Sequence, residues 1–208
     1  MNKKGTKKPR REWVRRHLND SYVKQASQSG YRSRAVYKLQ EIQQKDAILV
    51  PGSTVVDLGA APGSWSQYAS KVLGPAGHVI ALDILPMEPI TGVIQVQGDF
   101  SEQAVLDRLL VSINGRKIRL VISDMAPNIT GIKSVDQAHS VQLGELALDL
   151  AHKVLEKEGD LLIKVFHGEG FDDLLRQLRQ GFNKVHIRKP KASRSSSREV
   201  YLLARNYQ

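Results

Sequence analysis

Val55 to Gln67 reads V-V-D-L-G-A-A-P-G-S-W-S-Q, and the fold is decided there. A short apolar run ends in Asp57, passes through Gly59, Ala60, Ala61, Pro62 and Gly63, and then turns polar. A buried parallel strand hands over to a tight turn and a helix start in this way. Small residues in such a turn let backbone N–H groups approach a ligand closely.

Strand and helix patterns alternate from Pro51-Gly52 onward. Strands are expected at Thr54–Asp57, Val79–Asp83, Val93–Gln97, Leu120–Ser123, Asp160–Val165, Lys184–Ile187 and Val200–Ala204. Helices are expected at Ser64–Leu73, Glu102–Leu110, Val141–Leu155 and Asp172–Gln180. In the third, Leu143, Leu146, Ala147, Leu150, Ala151 and Val154 form an apolar stripe. The alternation predicts an α/β fold: a seven-stranded, mostly parallel sheet with helices on both faces. Only a basic, Ser-rich loop, Arg188 to Arg198, separates the last two strands, so the last strand is expected to run antiparallel. Ahead of the sheet, Asp20 to Gln44 reads as two helical segments broken at Gly30, with Ala35, Val36, Leu39 and Ile42 on one face. Ile129 to Ser140 is polar, contains Gly131 and follows a strand; it is expected to be a mobile lid.

A chain of 208 residues with 41% hydrophobic and 25% charged residues suits one globular domain. Its 31 Lys and Arg against 21 Asp and Glu give +10, which favours a polyanionic partner: RNA, DNA or an anionic membrane. No apolar run approaches the roughly 18 residues of a membrane span, and none resembles a signal peptide. The absence of Cys excludes disulfides, thiolate metal sites and a Cys nucleophile. A cytoplasmic location and a monomer without membrane attachment are therefore expected. Residues 1–20 form a basic arm, with Lys3, Lys4, Lys7, Lys8, Arg10, Arg11, Arg15 and Arg16 against Glu12. Such an arm either solubilises the chain or neutralises phosphates without reading sequence.

Open α/β sheets bind ligands beyond the carboxyl ends of their parallel strands. Asp57 ends the first strand and Asp83 the second, while Asp99 follows the third and Asp124 the fourth. Lys164 lies near the end of the fifth, inside the apolar run L-L-I-K-V-F. Glu199 begins the last strand, and antiparallel pairing brings that end to the same rim. A structural ion-pair network is the plainer reading, but collection of these groups on one rim points to an active site. A lysine in a buried strand either reaches the rim to pair with an acid or serves as a base. Lys38, read alone, is a solvated helix lysine. His17, His78, His139, His152, His167 and His186 lack metal-ligand spacing, and no metal is expected.

Asp83 lies roughly 20 residues beyond the glycine turn, where an acid binds ribose hydroxyls in nucleotide-type folds. That spacing fits a dinucleotide or S-adenosylmethionine. A dinucleotide turn needs G-x-G-x-x-G, but Ala61 replaces the middle Gly and Pro62-Gly63-Ser64-Trp65 breaks the pattern. A sulfonium ligand has no pyrophosphate to cradle, so the departure favours S-adenosylmethionine.

The stretch from Asp57 to Gln67 resembles the cofactor motif of FtsJ/RrmJ-type ribosomal RNA 2′-O-ribose methyltransferases. The likeness continues through G-Y-R-S-R-A-V-Y-K-L from Gly30, A-L-D-I-L-P-M from Ala81 and Q-G-D-F from Gln97. It extends to S-D-M-A-P-N from Ser123, K-V-F-H-G-E-G-F from Lys164 and S-R-E-V-Y from Ser197. The resemblance implies a Rossmann-like S-adenosylmethionine-dependent methyltransferase fold, with residues 21–208 as one catalytic domain. It implies a catalytic tetrad of Lys38, Asp124, Lys164 and Glu199, and cofactor contacts at Gly63, Trp65, Asp83, Asp99 and Asp124. It further implies methylation of a uridine in the A loop of 23S ribosomal RNA, with the large ribosomal subunit as partner. Ser64 and His167 depart from the Gly and Gln of similar chains. Arg32, Arg34, Lys191, Arg194 and Arg198 read as RNA phosphate contacts or, more plainly, as a solvated basic face. Rival readings are a transfer-RNA or cap 2′-O-methyltransferase and a non-catalytic RNA-binding assembly factor. A base methyltransferase is disfavoured, because Asp124 to Pro127, D-M-A-P, lacks the aromatic ending of the D-P-P-Y type.

Overall fold

In the computed structural model, which describes residues 20–194 and 197–208, the run before the glycine turn is β1 (Thr54–Leu58), buried at all five positions. Residues 1–19 of the expected basic arm lie outside the described residues.

Among the described residues two helices precede β1, α1 (Ser21–Gln28) and α2 (Val36–Asp46). Beyond it come α3 (Ser64–Leu73), β2 (His78–Asp83), β3 (Val93–Gln97), α4 (Gln103–Ile113) and β4 (Ile118–Ser123). The chain continues through α5 (Lys133–Val154), β5 (Leu155–Phe166), α6 (Phe171–Gly181), β6 (Phe182–Arg188) and β7 (Glu199–Tyr207). The seven strands form one sheet in the order β3-β2-β1-β4-β5-β7-β6. β1 pairs in parallel with β2 and β4, β2 with β3, and β4 with β5. β7 enters between β5 and β6 and runs antiparallel to both. A basic loop can make that last connection, whereas parallel neighbours need a crossover of a dozen or more residues.

Alternation along the strands sorts the core into two layers. Val55, Leu120, Ile122, Leu162, Tyr201 and Leu203 pack with Leu39 and Ile42 of α2 and Trp65, Ala69 and Leu73 of α3. Val56, Leu58, Ile80, Val121, Leu161, Ile163 and Leu202 face α4, α5 and α6. Helices therefore cover both faces, and Lys164, one residue beyond Ile163, falls on the α2 side.

The expected lid is corrected. Within 129–140 only 129–132 is non-helical, and Lys133 to Ser140 open the long helix α5. The polar composition suggests a solvated loop, yet Asp136, Gln137 and Ser140 are all buried. Their side chains satisfy backbone groups instead. Asp136 accepts from Thr130 N and Oγ1, both at 2.7 Å, and Gln137 donates to the carbonyls of Phe166 at 2.7 Å and Glu169 at 3.0 Å. Ser140 accepts from Phe166 N at 2.9 Å. Another boundary differs: β5 starts at Leu155, not Asp160, because a register shift against β4 and a left-handed Glu158 admit the extra turn of chain.

At the glycine turn, Gly59 N and Ala60 N both donate to the Leu82 carbonyl, at 2.9 and 3.1 Å. Gly59 has φ +71°, and a Cβ there would lie 2.5 Å from Met125 Cγ and 3.1 Å from Met125 Cα. Gly59→Ala is expected to destabilise the chain by about 1–2 kcal/mol from the backbone conformation alone, and further if Met125 has to move. Urea unfolding checks this, and an unchanged midpoint would contradict it.

Candidate active site

Register delivers the polar groups to one rim. Ser123, the last residue of β4, pairs with Ile163, so Asp124 arrives beside Lys164. Across β5 and β7, Lys164 pairs with Tyr201 and Phe166 with Glu199. Burial of Leu39 and Ile42 seats α2 on the sheet, and the indole of Trp65 fixes its start by donating to the Ala35 carbonyl at 2.8 Å. Lys38, in the first turn of α2, then projects over the same corner.

The four tetrad residues meet. Lys164 Nζ lies 3.0 Å from Asp124 Oδ1 and also donates to the Asp124 carbonyl. Lys38 Nζ lies 2.9 Å from Glu199 Oε1 and 3.7 Å from Asp124 Oδ1. Two cations and two anions balance, with side-chain exposures of 7–17%. Tyr201 OH donates to Asp124 Oδ1 at 2.6 Å, and Lys38 Nζ sits 5.6 Å from the centre of its ring. No hydrogen bond among the described residues reaches Asp124 Oδ2, and Asp124 lines an adjoining cleft of about 660 Å³.

That cleft collects the expected acids. Asp83 and Asp99 line it with Gly59, Ala61, Phe100 and Met125, while α5 supplies Leu143 and Leu146 as an apolar wall. The Asp83 carboxylate accepts from Ala61 N and Leu85 N, both at 2.8 Å, which ties the turn to the end of β2. Gly63 and Trp65 are not among the lining residues. Gly63 is the N-cap of α3, a helix without a side-chain cap, and Trp65 is 2% exposed with its ring 5.8 Å from that of Tyr201. Among the basic residues, Lys191, Arg194 and Arg198 are exposed on the β6–β7 loop. Arg34 is held by Asp20, the Ala192 carbonyl and the Tyr22 ring. Arg32 donates to the carbonyls of Pro62 at 3.0 Å, Glu88 at 2.7 Å and Pro89 at 2.9 Å.

Residues 31–207 match the family described as FtsJ-like methyltransferase. The chain belongs to that family. It is 55% identical over 195 residues to "Ribosomal RNA large subunit methyltransferase E" of Marinobacter nauticus, covering 94% of each chain. It is 56% identical over 200 residues to the protein of that name from Pseudomonas aeruginosa, covering 96% of this chain and 97% of that one. A solved Plasmodium falciparum structure described as a ribosomal RNA methyltransferase superposes with TM-score 0.75 at 30% identity, over 85% of this chain and 98% of that one. A fibrillarin/Nop5p complex, at TM-score 0.58 and 17% identity over 85% of each chain, shares the fold alone.

In this FtsJ-like methyltransferase, the pKa values of neighbouring acids are shifted in opposite directions. Burial is the largest influence on Asp124 and raises its pKa, but Lys164, Lys38 and the Tyr201 hydroxyl together bring the carboxyl below its ordinary value. Glu199 behaves alike: burial raises it, and the charge and hydrogen bond of Lys38 outweigh that. Asp99 is exposed, and hydrogen bonds from Ser101 hold it low. Asp57, 1% exposed, has no cation within ion-pair distance among the described residues; burial, with the charges of Asp124 and Asp83, pushes it up to about 7 despite a 2.6 Å bond from Ser66 Oγ. Tyr201 went unrecognised in the sequence. Its place two residues after Glu199 on a strand, hence on the same face, was the available signal.

A carboxyl whose folded pKa exceeds its unfolded value favours the fold when protonated. Its contribution is complete below about 3.8 and is lost as pH rises through about 7. Asp57→Asn is expected to remove this dependence. The stability of wild type relative to the variant should fall between pH 4 and 7 in denaturant titrations, and a constant difference would contradict the protonated state.

Proposed function

We propose that the chain transfers a methyl group from S-adenosylmethionine to the ribose 2′-hydroxyl of a uridine in the A loop of 23S ribosomal RNA, within the large ribosomal subunit. The observation that carries this reading is the closed Lys38–Asp124–Lys164–Glu199 cluster, which opens onto the cleft through Asp124. The named relatives supply the RNA class, because their printed names specify the ribosomal large subunit.

The cleft residues fit the cofactor. Asp83 and Asp99 present carboxylates for ribose hydroxyls and a base amino group, with Phe100, Leu143 and Leu146 as apolar walls. The start of α3 has no side-chain cap, and while Gly63 N donates to the Ala60 carbonyl at 2.6 Å, the backbone N–H groups of Ser64 and Trp65 are left for a carboxylate. Asp83, Asp99 and Asp124 make the cleft electronegative, which suits a sulfonium cation. When bound, S-adenosylmethionine supplies an electrophilic methyl on sulfur.

The protein aligns and holds. Orientation alone can reach effective molarities of about 10⁵ M or more. Lys164 uses two of its three donor directions on Asp124, and the third is left for the 2′-oxygen. As an ammonium it orients that oxygen and stabilises developing alkoxide charge; as an amine it takes the proton. Asp124 Oδ1 and Glu199 hold Lys38 beside this position, and Asp124 Oδ2 accepts from the substrate. The exposed Lys191, Arg194 and Arg198 meet phosphates at the rim. The 2′-hydroxyl is the group that distinguishes RNA from DNA.

Lys164→Ala is expected to lower single-turnover methyl transfer by about 10²–10⁴ while cofactor affinity, by calorimetry, stays within a few-fold. Near-native transfer would refute the role. Lys164→Arg keeps a cation that cannot accept a proton. Retained transfer would mark orientation as its task, and loss equal to alanine would mark proton abstraction. Mapping 2′-O-methylation of ribosomal RNA in cells with and without the chain tests the substrate.

A further inference from the structure

A second recess, of about 470 Å³, shares no lining residue with the cofactor cleft. Ser29, Gly30 and Arg32 form one wall, Ser70 and Lys71 of α3 another, and Thr91 closes it. No carboxylate lines it, and neither Arg32 nor Lys71 has a carboxylate within ion-pair distance among the described residues. Arg32 spends its guanidinium bonds on three carbonyls, which fixes the group and leaves its full positive charge. Glu88 meets it through its main-chain oxygen only. Lys71 is exposed. At Gly30 a Cβ would find nothing within 4 Å, so the backbone there is open to an approaching group.

We infer that this recess binds a backbone phosphate of single-stranded RNA flanking the methylated nucleotide, with Lys71 and Arg32 supplying charge and Ser29, Ser70 and Thr91 supplying hydroxyls. One fixed and one exposed positive charge, several hydroxyls and no acid select an anion with neighbouring hydroxyls, and a ribose-phosphate chain is one. The link to the tetrad is covalent: Arg32 and Lys38 are six residues apart, so their Cα atoms lie within about 20 Å by chain reach alone. One strand can therefore occupy the recess and the tetrad together. This rests on the RNA methylation reading above and adds to it a place where the strand is held. It also gives Arg32 a double task, as a clamp on the turn and as part of an anion site.

The test is fluorescence anisotropy of a labelled single-stranded oligouridylate across a salt series, with no methyl transfer involved. Lys71→Met, at an exposed position, is expected to make the slope of log affinity against log salt shallower by about 0.7, the value for one phosphate on a single strand. Ser70→Asp, which places an anion in the recess, is expected to weaken binding at low salt by about fivefold or more. Lys153→Met, on α5 across the sheet, should leave the slope unchanged. Wild-type RNA binding with an unaltered slope in Lys71→Met would overturn the subsite and leave the methylation reading standing. Lys71-dependent binding of inorganic phosphate that RNA fails to displace would overturn the RNA assignment. A wild-type chain that binds no RNA would remove both readings.

Discussion

The Asp124 carboxylate is the constraint on which the site depends. It stands where burial opposes charge, and it remains ionised because three groups reach one of its oxygens. Lys164 comes from β5, Lys38 from α2 and Tyr201 from β7. A buried charge that loses one partner costs several kcal/mol, about 3–5 in measured pairs. The sheet order, the seating of α2 and the late antiparallel strand are thus coupled through a single oxygen. Mutual dependence of this kind makes the corner rigid, and rigidity is what an in-line displacement needs from its surroundings.

The same rim shows how environment separates like groups. Asp57 and Asp124 sit at the ends of adjacent parallel strands, yet one is raised and the other lowered. The difference lies in which side chains meet them: a single serine hydroxyl for Asp57, two ammonium groups and a phenol for Asp124. The raised pKa of Asp57 lessens the negative charge buried under the turn, and the cleft itself is lined by Asp83, Asp99 and Asp124.

Much of this was legible in the sequence, because strands with strict periodicity and a glycine turn are local signals. The apolar run before Gly59, the acids at strand ends and the loop without a crossover predicted the sheet and its antiparallel strand. Lys164 stood out as a charge inside an apolar run. The first turns of α5 were not legible, since Asp136, Gln137 and Ser140 are polar and their burial depends on carbonyls and N–H groups more than 20 residues away in the Gln137 and Ser140 cases. The Arg32 clamp was hidden for a related reason: its partners are backbone oxygens, which no residue identity announces. The early start of β5 followed from a register shift, a property of the pair of strands and of neither alone.

The placement of β7 between two partners has a consequence for how such a chain can diversify. Its register is set on one side by β5 and on the other by β6, from Phe166 opposite Glu199 to Phe182 opposite Tyr207. A slip of one residue would turn Glu199 to the other face, so the sheet resists it. In the segment joining β6 to β7, Ala192 and Ser193 are buried and Glu41 accepts from Lys191 N and Ala192 N, so the constraint extends to them and not to the stretch from Arg194 on. Insertions or deletions there change the length of the surface loop and leave the spacing of Lys164, Glu199 and Tyr201 untouched. Contact surface and chemistry can then evolve on separate schedules within one short chain.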